Sequence, residues 1–392
     1  MDSATAVELL FAGKALPVPM DVLWIKRDVR VGDNEALSRS ASSSSNLRPL
    51  LLLYVYEDVH MQSETYHESH HKFINEGLAE MDKNIRAISW CGRGITFRRG
   101  HTVVDVLREL HENEAPIKTL YCHREVGNGI SLSRDQDVYG FAHENRISLV
   151  EFSQDGVAPR RGLSFDERKK AFQKAIANSV QMTPPSRISL VQNIPCGKIM
   201  NAQECGVKHM GLRPEASIGG ETIAHETLNS FLAERGRDFF FQVSSPLGGW
   251  TSCSKLSPYL TWGHISLRQV YQAAAAKKKQ HIESEKANGS VPLEISSDCD
   301  ADDLEDENEE EEAANGKKGK TSRKKGENMS DGRKWTLTLQ NFLSRLYWRS
   351  KFMQQLHDDP SIEYRAKLEV YDTLRDSWHQ GRYDVFLRDN VL

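Results

Sequence analysis

Short apolar runs separated by turn residues predict the strands of the first part of the chain. The run LRPLLLLYVYE at 47–57 is nearly continuous in Leu, Val and Tyr, as expected for a strand buried on both faces of a parallel sheet. DVLWIKRDVRVGDNEAL at 21–37 reads as a first strand and its exit loop. Three more strands are predicted from GITFRRG at 94–100, IKTLYCHRE at 117–125 and ISLVEF at 147–152.

Helical periodicity alternates with these strands. One face of a helix over 72–88 collects five apolar side chains, Phe73, Ile74, Leu78, Met81 and Ile85. A second helix is predicted over 103–110. Because strand and helix alternate, we predict an α/β domain with a doubly wound parallel sheet over 18–155.

The pattern changes after residue 155. Residues 156–218 carry Pro, Gly and Ser without a sustained period, and we interpret them as an interdomain linker over the surface. Helical periodicity then predicts an all-α second domain over 219–279 and 335–382, with helices at 222–235, 257–276, 335–356 and 362–379. The intervening residues 280–334 are predicted to be a disordered insertion, because their composition cannot bury enough apolar surface.

Composition excludes a membrane-spanning protein. Apolar residues make up 39% of the 392 residues, and no apolar run approaches the roughly 20 residues that span a bilayer. The N-terminal residues lack a signal-peptide pattern, so we expect an intracellular protein, with nucleus, cytoplasm and organelle left open.

The charge of the chain is unevenly distributed. The formal net charge of −4 includes a mostly acidic block at 298–312, so the remainder is more basic than the total suggests. That permits a polyanionic partner without requiring one. The stretch KKGKTSRKKG at 317–326 reads either as a nuclear localisation signal or as a solvated charged loop.

Metal binding and nucleophilic hydrolysis are not indicated. The six cysteines form no C-x-x-C pair, and the histidines His67, His70, His71 and His123 have no accompanying carboxylate motif. There is no G-x-S-x-G after a strand. We therefore expect no metal site and no hydrolase triad.

The most informative stretch is GGWTSCSKLSPYLTWGHISLRQVYQ at 248–272. Ser257 as N-cap and Pro258 at the first helical position predict the start of a helix. Hydroxyls, backbone N–H groups and the ammonium of Lys255 precede it, which is the composition of an anion cradle. Ordinary helix capping explains the same residues equally well.

Several motifs resemble the photolyase/cryptochrome family, in the family's order and over most of the chain. The string CSKLSPYLTWGHISLRQVY is similar to its phosphate-clasping flavin motif, and VLWIKRDVRVGDNEAL to its first strand, with matches at Arg27, Asp28, Arg30, Asp33 and Asn34. Further agreement lies in GGE-x-x-A at 219–224, RGRDFFFQVSSP at 235–246 and FLSRLYWRSKFMQQL at 342–356. The residues in these motifs are closest to those of a divergent photolyase-like branch.

The resemblance implies an FAD site and an antenna site. The flavin diphosphate would be held by Cys253, Ser254, Lys255, Leu256 and Ser257, with Cys253 where many relatives have Thr. Phe239, at a position that is often Tyr, and Phe342 would be further flavin contacts. Glu125 in HREVGNG would contact an antenna chromophore, a folate or a deazaflavin; a charged loop after a strand is the alternative.

The helix at 335–356 predicts a surface for nucleic acid. Asn341, Arg345, Trp348 and Phe352 share one face that mixes cations with aromatics, which suits phosphates and an unstacked base. A half-buried tryptophan beside solvated arginines is the alternative. By resemblance, Trp348, Arg349 and Arg345 form the catalytic face. Arg345 stands where the best-known repair enzymes have a Glu that hydrogen-bonds damaged pyrimidines, and an arginine cannot accept that bond.

The resemblance implies a blue-light-driven, flavin-dependent DNA photolyase that repairs cyclobutane pyrimidine dimers in damaged DNA. A cryptochrome-like photoreceptor that signals through a protein partner is the alternative, and a non-enzymatic remnant with an antenna-binding α/β domain is a third. In relatives the counterpart of SWHQGR at 377–382 continues as T-G-Y-P and further flavin-binding helices. Here 383–392 reads as an atypical tail, so we expect the helical domain to be truncated and the flavin pocket incomplete.

Overall fold

The apolar runs of the N-terminal part form a five-stranded parallel sheet. The structure is a computed structural model that describes residues 18–44, 48–208, 211–212, 216–288 and 329–366. The strands lie in the order β3-β2-β1-β4-β5. Their bounds are Met20–Ile25 for β1, Leu50–Glu57 for β2, Thr96–Gly100 for β3, Ile117–His123 for β4 and Ser148–Phe152 for β5.

Helices cover both faces of this sheet, as the alternating pattern predicts. They are α1 (Glu35–Ser43), the short α2 (Asp58–Met61), α3 (Glu68–Ile88), α4 (Val103–Glu109, continued by a π-helical turn) and α5 (Gly129–Glu144). Two separate apolar cores result, one beneath α1 and α3 and the other beneath α4 and α5. The doubly wound α/β fold is confirmed.

Beyond β5 the regular elements of the described chain are helices, apart from isolated β-bridges at Ile188 and Leu190, which confirms the second half of the predicted fold class. The helices are α6 (Phe165–Phe172), α7 (Glu221–Ala233), α8 (Phe239–Gln242), α9 (Pro246–Ser252), α10 (Ser257–Trp262), α11 (Leu267–Ala287) and α12 (Asp331–Asp358). Their core is aromatic, and Phe231 packs edge-to-face against Phe239 at 5.7 Å and lies 4.7 Å from Phe342.

The helix predicted at 257–276 is in fact two helices. Gly263 ends α10 in the left-handed conformation, with φ of 71°, and a Cβ there would lie 2.0 Å from the carbonyl oxygen of Arg27. Ser266 and Gln269 then form a capping box that starts α11. Ser257 is the first residue of α10 and not its N-cap, since Leu256 takes that position.

Other predicted boundaries move as well. Helix α11 runs on to Ala287, inside the predicted insertion at 280–334, and residues 289–328 lie outside the described residues. A helix was predicted from residue 362, but up to residue 366 the structure shows only a 3₁₀ turn at Pro360–Glu363. Residues 367–392, which include the predicted tail at 383–392, lie outside the described ranges.

The segment at 156–218 is more than a surface connection. It contains α6, and Phe172 in that helix is 2% exposed in the core of the helical part. Ile188 and Leu190 form parallel bridges with Ser89 and Leu50 and are buried in the α/β core. These apolar residues lack a regular period because each contacts a different element, so periodicity alone could not reveal them.

A buried loop after β1 joins the two parts of the molecule. Arg30, only 2% exposed, donates to the carbonyl oxygen of Gly263 at 3.0 Å. Asp33 forms an ion pair with Arg268 of α11 at 3.0 Å. Glu221 at the start of α7 accepts from two backbone N–H groups of the same loop, both at 2.8 Å. The charges of this loop are thus satisfied only when the helical part is docked.

A neutral histidine lies at the contact between the loop after β1 and the helical part, which we call the joint. His264 is fully buried, stacks on Phe73 of α3 with ring centroids 4.6 Å apart, and accepts at Nδ1 from the backbone N–H of Gly220 at 2.9 Å. Burial, together with the charge of Arg30, lowers the pKa of His264 to about 3. The joint therefore holds this imidazole without a charge.

Removing the cation from the buried ion pair should destabilise the joint. In Arg268→Met, Asp33 remains buried without its cation, and loss of one partner of a buried pair costs about 3–5 kcal/mol. Chemical denaturation measures the free energy of unfolding. The control is Arg39→Met, which removes an exposed pair with Glu35 at 3.7 Å and should change stability by less than about 1 kcal/mol. Equal effects for the two variants would contradict a role for the joint.

His264 should make the stability of the fold pH-dependent. Its folded pKa lies below the unfolded value, so its contribution is complete above about pH 6.5 and is lost as the pH falls towards 3. The loss approaches about 1.4 kcal/mol per pH unit in that window. His264→Asn keeps an acceptor but does not titrate, so its unfolding free energy should fall less steeply between pH 6.5 and 4. Parallel pH profiles would exclude this assignment.

Candidate functional site

Arg235 shapes the loop between α9 and α10. Its guanidinium donates to the carbonyl oxygens of Cys253 at 2.6 Å and Ser254 at 3.3 Å, and also to that of Thr227 in α7 at 3.0 Å. In a trans peptide the N–H points opposite to the carbonyl, and the described residues contain no cis peptide. The N–H groups of Ser254 and Lys255 therefore point away from Arg235.

The donors of this loop match a diphosphate. Lys255 has φ of 58°, an uncommon left-handed backbone for a residue with a side chain. Lys255 and Ser257 are exposed and Ser254 is half-buried, whereas Leu256 is 1% exposed and anchors the loop in the core. The loop and the first residue of α10 thus bring together two hydroxyls, two amides turned away from Arg235 and one ammonium, which is a donor set that fits a diphosphate.

The lysine of the loop rests on a neighbouring ring. The Nζ atom of Lys255 lies 4.7 Å from the ring centroid of Trp250, whose side chain is 67% exposed. Cys253 is half-buried and packs against the helical core. Four of the five residues predicted to clasp a phosphate therefore lie on the loop between α9 and α10, with Leu256 as its buried anchor, and Ser257 is the first residue of α10.

The two phenylalanines predicted as flavin contacts lie deeper. Phe239 is 6% and Phe342 is 4% exposed, and their rings pack 6.2 Å apart within the aromatic core. The structure thus places both rings in the same apolar core as Leu256, the buried residue of the loop.

One face of α12 carries aromatic and cationic side chains together, and Trp348 at its centre is half-buried and packs against the helical core. The guanidinium of Arg345 lies 4.7 Å from the ring centroid of Trp348, and the Nζ atom of Lys351 lies 5.8 Å from it. Phe352 is 57% exposed and packs edge-on against Trp348 at 6.3 Å. The sequence predicted this face except for Lys351, whose spacing of three from Trp348 was the available signal.

Arg349 has a different position. It donates to the carboxylate of Asp155 at 2.6 Å and to the carbonyl oxygen of Leu260 in α10 at 3.4 Å. These contacts tie α12 to the end of the sheet domain and to the helix that follows the loop. The structure therefore separates Arg349 from Arg345 and Trp348, with which the sequence grouped it.

A second cleft opens at the carboxyl ends of the strands. A cavity of about 270 Å³ lies beyond β1, β2 and β4, at the point where the strand order reverses. Its lining is largely aromatic and includes Trp24, Tyr54, Tyr56, Tyr66 and Trp262.

Buried ion pairs form the polar side of this cavity. Glu125 pairs with Arg27 at 2.9 Å and with Arg134 of α5 at 2.7 Å. Burial alone raises the pKa of Glu125, but the two guanidinium groups outweigh it and hold the pKa well below its usual range. Arg134 also pairs with Glu57 at 3.4 Å. Glu125 thus lines the predicted antenna region, but its carboxylate is already engaged by two arginines.

Sequence reasoning missed Arg134 and Glu57 at this cleft. Glu57 is the last residue of β2. A charged residue at the carboxyl end of a strand in a doubly wound sheet is typical of a ligand site, and this position could have identified Glu57. Arg134 lies nine residues after Glu125 in α5. The hydrophobic pattern of the sequence did not predict this helix.

The four histidines do not converge. His67 caps α3 through Ser69, His71 contacts the carbonyl oxygen of Met200 at 2.8 Å, and His123 pairs with Asp28 at 2.7 Å. His70 lies beside Trp262. Within the described ranges, no group of three or more His, Cys, Asp or Glu side chains is placed to hold a metal ion. In the same part of the chain, no helix combines the length and apolar character needed to cross a membrane.

Comparison with known proteins agrees with this architecture. The family model for DNA photolyase matches residues 21–176. Cryptochrome-1 of Sinapis alba is 25% identical over 289 residues, which are 68% of this chain and 54% of that protein. Cryptochrome-2 of Arabidopsis thaliana is 23% identical over 278 residues, 66% of this chain and 43% of that protein. These matches support a divergent member of the photolyase/cryptochrome family.

Solved structures share the fold with this family member. A class III photolyase from Agrobacterium tumefaciens superposes with a TM-score of 0.63 at 16% identity, over 95% of this chain and 66% of that one. An archaeal photolyase from Sulfolobus tokodaii gives 0.59 at 16% identity, over 94% and 66%. The chain spans about half the length of the curated relatives named above.

Proposed function

We propose that this chain is a flavin-dependent DNA photolyase that binds FAD and repairs pyrimidine dimers in damaged DNA. The observation that carries the proposal is the loop held by Arg235, which presents hydroxyls, amides and an ammonium on one side. When bound, FAD supplies light-driven electron transfer to the dimer, while the protein supplies position and electrostatics.

The chain's own residues divide the work of holding the cofactor. Ser254, Ser257 and the outward amides hydrogen-bond the diphosphate, and Lys255 leaves Trp250 to neutralise its charge. Cys253 and Leu256 seat the loop, and Arg235 keeps the carbonyl oxygens turned away from the anion. This last role matters because a carbonyl oxygen facing a phosphate would repel it.

The face formed by Arg345, Trp348, Lys351 and Phe352 supports a role in nucleic-acid binding. Two cations attract phosphates, and two aromatic rings offer a surface on which an unstacked base can stack. Arg349, through Asp155 and Leu260, fixes the orientation of α12 and hence of this face relative to the clasp loop. Its role in this proposal is positioning.

A cryptochrome-like photoreceptor is the second candidate. It is favoured by Arg345, because an arginine only donates hydrogen bonds, whereas the best-known repair enzymes have at this position a Glu carboxylate that accepts them. The curated relatives reported above are also named cryptochromes. In that case light would reduce the flavin and alter binding of a protein partner.

We also propose that the cavity at the strand ends holds an antenna chromophore. Its aromatic lining suits a planar ring system. The archaeal photolyase from Sulfolobus tokodaii was solved with two FAD molecules, a precedent for a second chromophore in this fold. Glu125 acts here by fixing Arg27 and Arg134, and the guanidinium groups face the ligand.

Arg235→Gln should weaken FAD binding at least tenfold, because the carbonyl oxygens of Cys253 and Ser254 lose the donor that turns them away from the phosphates. Quenching of flavin fluorescence on titrating the protein into FAD measures the dissociation constant. The matched control is Arg237→Gln in the same turn, whose side chain is half exposed and pairs with Asp331 at 2.5 Å. It should bind FAD as the unaltered protein does. Equal affinity for both variants would remove the clasp role of Arg235.

Illumination of the reduced, FAD-loaded protein should repair a dimer-containing oligonucleotide. Trp348→Ala should lower affinity for that oligonucleotide about 5- to 100-fold, in line with the loss of one stacked base. Trp90→Ala is the control, since Trp90 is 72% exposed but lies on the sheet domain beside Arg187. Flavin photoreduction without repair would select the photoreceptor. Protein that takes up no FAD would contradict both candidates.

A further inference from the structure

The hydroxyl of Thr338 joins α12 to the turn that carries Arg235. Residues Arg235–Asp238 form a 3₁₀ turn, and α8 follows it directly. Thr338 is fully buried, and its hydroxyl donates to the carbonyl oxygen of Arg237 at 3.1 Å and accepts from the backbone N–H of Phe240 at 3.3 Å. A single side chain of α12 thus bonds both the last part of the turn and the first part of α8.

This junction depends on an outside partner because both of its elements are short. The 3₁₀ turn and α8 contain four residues each, and helices of that length are not stable alone. The first N–H groups and the last C=O groups of a helix have no partner within it. Asp238, the N-cap of α8, makes no capping hydrogen bond with its side chain. Thr338 therefore supplies an acceptor and a donor that the junction does not supply itself.

Helix α7 confines the turn on its other side. A Cβ atom on Gly236 would lie 2.6 Å from the carbonyl oxygen of Phe231, so the backbone of the turn lies against α7 with no space for a side chain. Phe239, the first residue of α8, packs edge-to-face on the ring of Phe231. The turn thus lies between α7 and α12, and Thr338 makes a polar contact that holds it on the α12 side.

The position of the turn decides which carbonyl oxygens Arg235 reaches. Its guanidinium donates to the carbonyl oxygen of Cys253 at 2.6 Å and to that of Ser254 at 3.3 Å. Hydrogen bonds of this kind are usually about 2.7–3.2 Å long, so the bond to Ser254 is at the long end of the range. A small shift of the turn away from the loop would break that bond and let the peptide group after Ser254 rotate.

We propose that Thr338 is a positioning residue for the clasp loop. Its two backbone partners hold the turn in place, and the turn in this place lets Arg235 keep the carbonyl oxygens of Cys253 and Ser254 directed away from the diphosphate. Thr338 acts through Arg235 and not by contact with the cofactor. This inference rests on the proposed function and adds to it a link from α12 to the clasp loop.

Thr336 offers a matched control in the same helix. It is 1% exposed, and its hydroxyl donates to the carbonyl oxygen of Gly332 at 2.9 Å, which is a bond within α12. Thr336→Val and Thr338→Val each remove one hydroxyl from a buried threonine and keep the shape of the side chain. Only Thr338→Val takes the hydroxyl away from backbone groups of another element.

The affinity for FAD should separate the two valine variants. Thr338→Val should weaken FAD binding about 3- to 10-fold, because two hydrogen bonds that hold the turn are lost, whereas Thr336→Val should bind FAD as the unaltered protein does. Thr338→Ser keeps the hydroxyl and should restore most of the affinity. Titration followed by flavin fluorescence measures the dissociation constants, and denaturant unfolding without FAD shows that each variant is folded. If Thr338→Val does not fold, Thr338→Ala replaces it with the same expected loss.

A double variant tests whether Thr338 acts through Arg235. Arg235→Gln combined with Thr338→Val should bind FAD about as weakly as Arg235→Gln alone, because the turn then has no guanidinium left to position. Losses that multiply would show that the two residues act independently and would overturn the positioning role.

Two further results would overturn the inference alone. Unchanged FAD affinity in Thr338→Val, with Arg235→Gln impaired, would separate Thr338 from the clasp and leave the clasp proposal standing. An equal loss of affinity in Thr336→Val would assign the effect to the general packing of α12. Failure of the unaltered protein to bind FAD would overturn the proposed function and this inference together.

Discussion

The buried charges in the loop after β1 determine how the two parts of this protein fit together. Arg30 and Asp33 lie almost wholly out of water, and their partners include the carbonyl oxygen of Gly263 and the guanidinium of Arg268. Isolated charges in such a place would be strongly destabilising. Arg30 and Asp33 of the sheet domain therefore have these partners only with α10 and α11 in their observed positions.

The same loop sets the positions of both candidate sites. The carbonyl oxygen of Arg27 approaches Gly263 so closely that only glycine fits, which fixes the end of α10. The clasp loop precedes the start of that helix. The guanidinium of Arg27 also lies 5.0 Å from the ring of Trp262 and pairs with Glu125 in the cavity at the strand ends. The loop after β1 thus contacts both the end of α10, next to the clasp loop, and the cavity at the strand ends.

Sequence alone revealed the parts of this architecture that carry a continuous or periodic apolar pattern. The strands were predicted because they are short apolar runs between turn residues, and α3 and α12 because their buried faces repeat every 3.6 residues. Helix α5 was missed because Ser131 and Asp135 are among its buried residues, so its inner face is not uniformly apolar. Helix α6 was also missed, although Ser164 and Glu167 form a capping box that was present in the sequence.

Site residues were predictable where a motif is continuous in sequence. The clasp is continuous in sequence over the loop and the first residue of α10, so its five residues were found together. Arg235 was not, because its effect depends on a turn that folds back eighteen and nineteen residues away. Arg349 was grouped with Trp348 by resemblance, and its ion pair with Asp155, in the other part of the chain, was not foreseen. Long-range ion pairs leave no local pattern.

The face of α12 poses a competition that magnitudes can decide. Arg345 and Lys351 both lie near the ring of Trp348, and a cation over an exposed aromatic ring contributes about 0.5–1 kcal/mol. A base stacked on the same ring contributes about 1–3 kcal/mol. The two ranges overlap once both cations are counted, so under the proposed function a base can take the place of a cation on the ring at little net cost.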